Sequence, residues 1–582
     1  MANKSINSGN NNDKEEFATA PYNFVKLNDK VIHYDKNKSG HNSYCSENGV
    51  NKLYTGYITL KIKAKTSLYV RGLLSINAHI RSKKEKEIHS AFFGSKGSLK
   101  IPGSSIRGMV KNMVSIVSWG KFNQIDDKLL FQRGMADKCL SSHYGKTIPN
   151  ERDVHNQRQN PPLPMGGYLE KKDNNYYIIP AKIEANMQYR KELIRNPKVN
   201  LGEHKVKSGR MPRKENMWVM HPKDEEKRFL LDKESITLYR NDANRNSDWD
   251  LLKQLKNGDS VPCFYVYRDK LVLFGHTRSF RIPYNNRISC HIPLPLRDPK
   301  DEIPDFCDSI FGTTEFASRV FFEDAKLEGD PNVALMEEIV PKILSAPKPT
   351  SFQNYLEQPE KARKEPKELK HWDDDALIRG HKLYWHRNTE ESGNHNWNSG
   401  RKPEEVRKEL HEKNKTQFTI IQAVKPGSRF SGKIRFENLT EEELGALLFV
   451  LDLPENCCHK IGMGKPLGLG SVEINVDLVL INRKERYSKL FSNGNWELAE
   501  KNASSSINQL KKVFSDYMLK EIVETKSDDL WELEKMWQLK ILLEDHNNIE
   551  NWLEKTIYMD VCLSKWRRVL PTPEEVIDKQ RK

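Results

Sequence analysis

The chain has 582 residues, with 95 Lys and Arg against 80 Asp and Glu, for a net charge of +15. Its hydrophobic fraction is 37%, yet 22 Phe, 20 Tyr and 11 Trp supply enough aromatic bulk to anchor cores in about two to four domains. No run approaches the ~20 apolar residues of a membrane span and residues 1–16 hold no apolar leader segment, so the expectation is a soluble, cytoplasmic protein with no membrane partner. The positive excess fits a polyanionic partner, since each cation that meets a phosphate releases a condensed counterion, and it also fits a solvated basic surface.

Taken in chain order, residues 1–50 read as a largely disordered segment, rich in Asn, Ser, Lys and Glu at its start. Residues 57–64 alternate Ile58, Leu60, Ile62 and Ala64 with Thr59, Lys61 and Lys63, the period of a half-buried strand. Pro102-Gly103 marks a turn, Ser104 or Ser105 is the expected N-cap, and a stripe from Ile106 through Val110, Met113, Val114 and Val117 predicts a helix. Segment 51–144 is therefore ordered. Segment 145–290 is looser and reads as an inserted basic module, with short strands over 176–179 and 264–267. Within it, 190–228 carries twelve Lys/Arg and six Asp/Glu, which suits an RNA end or a partner subunit as well as a solvated insertion.

Order returns over 291–356, and 357–415 reads as a polar insertion or loop. In 416–482, strands are expected at 418–424 and 430–436 around the Lys425-Pro426-Gly427 turn. Thr440 with Glu443 three residues on forms a capping box, opening a helix buried through Leu444, Leu447, Leu448 and Leu451. A strand over 471–476 follows. The remainder, 483–582, reads as a helical extension with helices at 507–522 and 531–543. The fold class is α+β, and the element order suits a ferredoxin-like (RRM-like) βαββαβ core split by long insertions.

Residues 460–471 carry four glycines and Lys465 in a short span, a composition that lets backbone approach a phosphate and offers successive N–H groups to an anion. It suits a tight helix-to-strand connection equally. A Walker A loop fails because Pro466 follows Gly464-Lys465, and a dinucleotide fingerprint fails because the helix comes before the loop and the strand after it. The eight cysteines include no C-x-x-C pair, and the adjacent Cys457-Cys458-His459 cannot close a tetrahedral site without distant partners. No metal, cofactor or small-molecule substrate is expected.

Three segments carry a resemblance. Ile101-Pro102-Gly103-Ser104-Ser105-Ile106-Arg107-Gly108 resembles the hallmark segment of the RAMP superfamily of CRISPR-associated proteins. Phe316-Ala317-Ser318-Arg319-Val320-Phe321-Phe322-Glu323-Asp324-Ala325 resembles a second, and residues 462–471 resemble the family's C-terminal Gly-rich loop. They occur in family order. Residues 348–355 and 379–386 resemble a large, insertion-bearing subgroup close to type III backbone subunits. The likeness spans roughly 55–125, 270–390 and 416–480.

What the resemblance implies is a ferredoxin-like core that grips guide RNA (crRNA) along its phosphates and presents it to target RNA beside other effector subunits, while base pairing reads the sequence. By the same resemblance the RNA contacts are Ser104, Ser105, Arg107, Lys111, Arg319, Gly462, Gly464, Lys465, Gly468 and Gly470. Arg319 and Asp324 are also consistent with a structural ion pair, and the aromatics around Trp385 with either base stacking or a core edge. Target-cutting relatives place an aspartate in the loop after the first strand, and residues 69–100 contain none. His79 and His89 are the remaining candidates for acid–base scission of RNA. Two alternatives therefore stay open: an endoribonuclease, or a protein-interaction scaffold built on the C-terminal helices with incidental RNA contact.

Overall fold

The computed structural model describes residues 17–33, 53–72, 90–95, 97–122, 125–133, 143–148, 164–185, 205–206, 218–222, 228–242, 250–268, 270–297, 303–315, 317–344, 349–388, 397–413, 416–489, 491–492, 494–522, 527–559 and 568–578. His79, His89 and most of the basic stretch 190–228 lie outside them. The fold mixes helix and sheet. Contacts divide the chain into two units, 1–124 with 292–346 and 378–582, and 125–291 with 347–377. No described helix is long and apolar enough to cross a membrane.

The first unit is built on strands β1 (Tyr22–Val25), β2 (Tyr54–Ala64) and β3 (Ser98–Ile101), helix α1 (Gly103–Val117), and strands β4 (Val320–Phe322), β5 (Ala325–Leu327), β6 (His381–Tyr384) and β7 (Arg429–Leu439). Helix α2 (Glu441–Leu451), strand β8 (Ser471–Ile481) and helices α3 (Ile507–Glu521) and α4 (Glu534–Leu543) follow, with shorter elements between and around them. The main sheet runs β8-β2-β7-β5-β3, with β4 also on β7, and its neighbours are antiparallel. α1 lies between β2 and the β4–β5 pair in sequence, and α2 between β7 and β8. Each crossover therefore skips over a strand belonging to the other.

The alternation read from the sequence decides the faces. Ile58, Leu60, Ile62, Phe430, Ile434, Phe436 and Leu478 point into one core, and Lys61, Lys63, Lys433 and Arg435 point away from it. α1 buries Ile106, Val110, Met113, Val114 and Val117 in that core. The capping box of α2 is present, with Thr440 and Glu443 bonded reciprocally. α2 is buried nearly all round because α3 covers its other side. Gly445 makes this approach possible: a Cβ there would sit 2.3 Å from the Leu510 carbonyl.

Three expectations change here. The C-terminal helices are no appendage, since Phe514, Met518, Met536 and Leu539 are fully buried in the main core. Residues 378–388 and 397–413, expected within a polar insertion over 357–415, belong to the first unit: β6 pairs with β1, and Trp385 and Trp397 are 1% exposed. Residues 418–424 form no strand. Ile421 and Val424 bridge to Ile339 and to Leu68 and Leu335 separately, so no continuous ladder develops.

The second unit has its own antiparallel sheet, ordered Leu271–Gly275, Ser260–Arg268, Met165–Lys172, Asn175–Ala185, Trp218–Pro222. Its cores are separate clusters, with Leu169, Ile178 and Phe274 in one and Phe264, Val266 and Ile282 in another. The 347–377 segment is tied in by polar bonds. Asp373 accepts from the Asn285 backbone N–H and contacts His143, and both ring nitrogens of His291 meet the Trp372 and Ala376 carbonyls.

Candidate nucleic-acid interface

α1 starts two to three residues earlier than its serines suggest. Pro102 stands at the N-cap without a side-chain bond, and the carboxylate that caps the helix is remote: Asp324 Oδ1 accepts the Gly103 N–H at 3.0 Å. Gly103 is required at this junction, because a Cβ would fall 2.3 Å from the Phe322 carbonyl. Ser104 and Ser105 are thus left in the first turn, Ser104 exposed and Ser105 half-buried. The Asp324 carboxylate bonds to α1 and lies 3.6 Å from Lys100; it does not pair with Arg319.

The outward side of α1 separates two depressions. One, of about 540 Å³, is lined by Arg71, Ser105, Asn112, Lys382, Tyr384, Lys460, Gly462, Met463 and Lys465 among others, and no carboxylate is among its lining residues. The second, of about 510 Å³, is lined by Arg107, Lys111, Lys121 and Lys382, with Asp305 and Asp308 opposite. Gly108, Asn112 and Lys382 border both. The helix with the sequence-predicted contacts and the Gly-rich loop therefore meet on one groove, through residues 357 positions apart in sequence (Ser105 and Gly462).

The groove's cations are poorly hydrated. Burial pushes Lys382 down to about 8, and its ammonium lies 3.8 Å from the centre of the Tyr22 ring. Burial, then the charges of Arg387 and Lys465, push Lys460 down to about 7, and its Nζ donates to the Gly468 and Leu469 carbonyls at 3.1 Å. Burial also lowers Lys465. At the base, the His386 and His459 rings are buried and held neutral, His459 pushed down to about 4, each with Nε2 lacking a partner. Desolvated cations in a groove whose lining holds no carboxylate favour a bound anion, which restores the charge stabilisation lost with water.

The Gly-rich loop acts mainly through shape. Gly462, Gly464, Gly468 and Gly470 all have positive φ. A Cβ on Gly470 would sit 1.9 Å from the Ile461 carbonyl, and one on Gly462 would sit 2.5 Å from the Tyr69 carbonyl. The anion nest expected here does not form as such. The N–H groups of Ile461, Met463, Leu467, Gly468 and Gly470 already donate to carbonyls of Gly470, Tyr69, Gly464, Lys465 and Ser67. Gly468, Leu469 and Gly470 are buried, and the 462–465 half faces the groove.

Other predicted residues separate. Arg107 lines the second depression, donates from Nη2 to the Phe311 carbonyl at 2.8 Å and lies over the Phe311 ring. Arg319 is turned inward: it is 6% exposed, donates to the Ser309 and Asn438 carbonyls, and pairs with Glu443. Its guanidinium supports the fold and does not reach the groove. Trp385 packs edge-on against Trp552 in the core, so of this cluster Tyr384 and the buried His386 line the groove. Lys382, Lys460, Arg71 and Asn112 were not predicted. Lys460 adjoins the loop, and Lys382 sits in the 379–386 segment, but only tertiary contact shows that they face α1.

Residues 224–473 match the profile of the RAMP superfamily. Among solved structures, the chain is similar to a chain of a type III-B Cmr-beta complex bound to cognate target RNA and to one of the apo state of Cmr-beta. Each is 12% identical with a TM-score of 0.20, covering 73% of this chain and 98% of the other. No curated protein matches the sequence.

Proposed function

Residues 224–473 match the RAMP-superfamily profile, and from that premise we propose that the chain is a guide-RNA-binding subunit of a type III-like CRISPR ribonucleoprotein. The guide's backbone lies along the outward side of α1 and against the 462–465 half of the Gly-rich loop. One observation carries this reading: Arg71, Lys382, Lys460 and Lys465 converge on a groove whose lining residues include no carboxylate. Ser105 and Asn112 add neutral donors, and Tyr384 offers a ring for a base. Arg107 and Lys111 extend the track past α1 into the second depression, and Ser104, exposed in the first turn of α1, is a further candidate contact. Gly464, Gly468 and Gly470 shape the loop without touching RNA, and Arg319 serves through the fold. The interleaved crossovers and the strand order β8-β2-β7-β5 support a ferredoxin-like core.

Such a site reads charge and shape, so sequence selection falls to base pairing between guide and target. The partners are guide RNA, the target RNA paired with it, and neighbouring effector subunits. Binding of single-stranded RNAs of unrelated sequence to the purified full chain tests this. Lys382→Glu with Lys465→Glu should weaken all of them alike, by roughly a hundred-fold for two charge-assisted contacts. A change in sequence preference with unchanged mean affinity would remove the backbone-gripping role.

A further inference from the structure

The sheet face opposite α1 and α2 carries a second charge pattern that the groove does not use. On β2, Tyr57, Thr59, Lys61 and Lys63 point outward; on β7, Arg429, Ser431, Lys433 and Arg435 do. These strands lie side by side, with Arg429 opposite Lys63, Ser431 opposite Lys61, Lys433 opposite Thr59 and Arg435 opposite Tyr57. No carboxylate occurs on either strand over these spans. The acids stand on the flanks: Glu473 and Asp477 on β8, and Glu323 beside β4. The result is a cationic lane along the two central strands, bordered by acidic rails.

The lane sets like charges against each other: Arg429 faces Lys63 and, one strand further, Lys326 faces Lys100, a cost to the sheet that Glu473 opposite Lys63 and Asp324 beside Lys100 help to offset. The lane also ends on aromatics. Phe321 of β4, opposite Arg435, is 48% exposed, and the Lys433 ammonium lies 4.4 Å from the centre of the Tyr57 ring. We propose that this open sheet face is a second binding surface for single-stranded RNA, separate from the groove. Phosphates follow Arg429, Lys63, Lys61, Lys433 and Arg435, and a base stacks on Phe321.

Charge complementarity selects the occupant. Same-face residues along a strand recur about every 7 Å and neighbouring strands lie about 5 Å apart, so the cations form a narrow line that one extended polyanion can follow. The acidic rails disfavour a broad acidic protein surface, which would meet them as it met the lane. Stacking on an exposed ring beside cations is the usual means of holding single strands without sequence preference. The Lys61–Asp477 and Arg435–Glu323 pairs are exposed, and such pairs are weak enough for a phosphate to displace.

The inference goes beyond the groove reading and is tested apart from it. The full chain is photo-crosslinked to single-stranded RNA containing 4-thiouridine, and the crosslinked peptides are mapped. Adducts on peptides containing Phe321 or residues 57–63 are expected beside those from 462–465. Lys63→Glu with Lys433→Glu should lower RNA affinity roughly ten-fold or more at low salt and make the salt slope shallower by about 1.4, two phosphates at ~0.7 each. Phe321→Ala, which leaves the charges and the core untouched, should remove the Phe321 adduct. Adducts confined to the groove, with affinity and slope unchanged in the lane variants, overturn this inference and leave the proposed function standing. Adducts confined to the lane do the reverse. Lane variants that keep RNA binding but lose a protein partner or self-association also overturn it, assigning the face to protein.

Discussion

Arg319, just ahead of β4, reaches Glu443 in the first turn of α2, and the two side chains are 7% and 0% exposed. The same carboxylate completes the capping box with Thr440 and accepts from Ser309 Oγ, and the same guanidinium donates to the Ser309 and Asn438 carbonyls. One buried pair thus ties the α2 start to the segment leading into β4, which pairs with β7, the strand ahead of α2. A residue singled out for RNA contact from a family-like segment is in fact the joint between the two crossovers.

Removing one partner leaves the other buried and uncompensated. Arg319→Ala should cost about 3–5 kcal/mol of stability, read as a lowered midpoint in thermal or denaturant unfolding. Arg319→Met with Glu443→Leu should recover much of that loss, because the desolvation cost of both charges disappears. The RNA affinity of folded Arg319→Ala should stay near that of the parent; a large drop without unfolding would return Arg319 to the RNA contacts.

Gly470→Ala places a methyl against the Ile461 carbonyl at a positive φ. The left-handed conformation alone costs about 1–2 kcal/mol for a side-chain-bearing residue, and the clash adds to it. The loop should lift from β8 and the groove should lose RNA affinity. Gly494→Ala, also at positive φ but with nothing within 4 Å of the added carbon, is the control and should leave RNA binding unchanged. Filter binding together with unfolding curves distinguishes local from global loss.

The depressed lysines set a pH dependence. In the free protein Lys382 is pushed to about 8 and Lys460 to about 7, each below the ordinary lysine value of 10.5. Between those values and 10.5 the unfolded chain binds more protons than the folded one, so this contribution makes stability rise with pH and leaves it lowest below about pH 7. RNA binding runs the other way. A phosphate favours the charged ammonium, so binding near pH 8 should take up protons, and affinity should fall as pH rises through 7–9. Calorimetry in buffers of different ionisation enthalpy measures the uptake. It should shrink in Lys382→Met, and its persistence there would remove Lys382 from the anion site.

A chain truncated after Asn502 would lose α3 and α4 and expose the side of α2 that carries Gly445, along with neighbouring core. It should be insoluble or molten, seen as lost near-ultraviolet dichroism and strong dye binding. A well-folded truncated chain would restore these helices to the status of an extension.

The sequence by itself determined the elements whose signals are local. Period-two alternation identified β2, the Lys425-Pro426-Gly427 turn marked the approach to β7, the spacing of Thr440 and Glu443 identified the start of α2, and the glycine cluster identified a loop with unusual backbone angles, because each pattern answers to the geometry of a few adjacent residues. By resemblance it also marked α1 and that loop as one expected RNA-contacting region. Only the tertiary structure decided which cations share it. Lys382 and Lys460 come to line one groove with Ser105 and Asn112 through pairing and packing between segments far apart in the chain. Burial, which lowers their charge affinity and turns Arg319 inward, depends on what covers a residue from outside its own segment. The same reason separates the faces of the sheet: alternation tells which residues part company, and the helices packed on one side decide which set meets solvent.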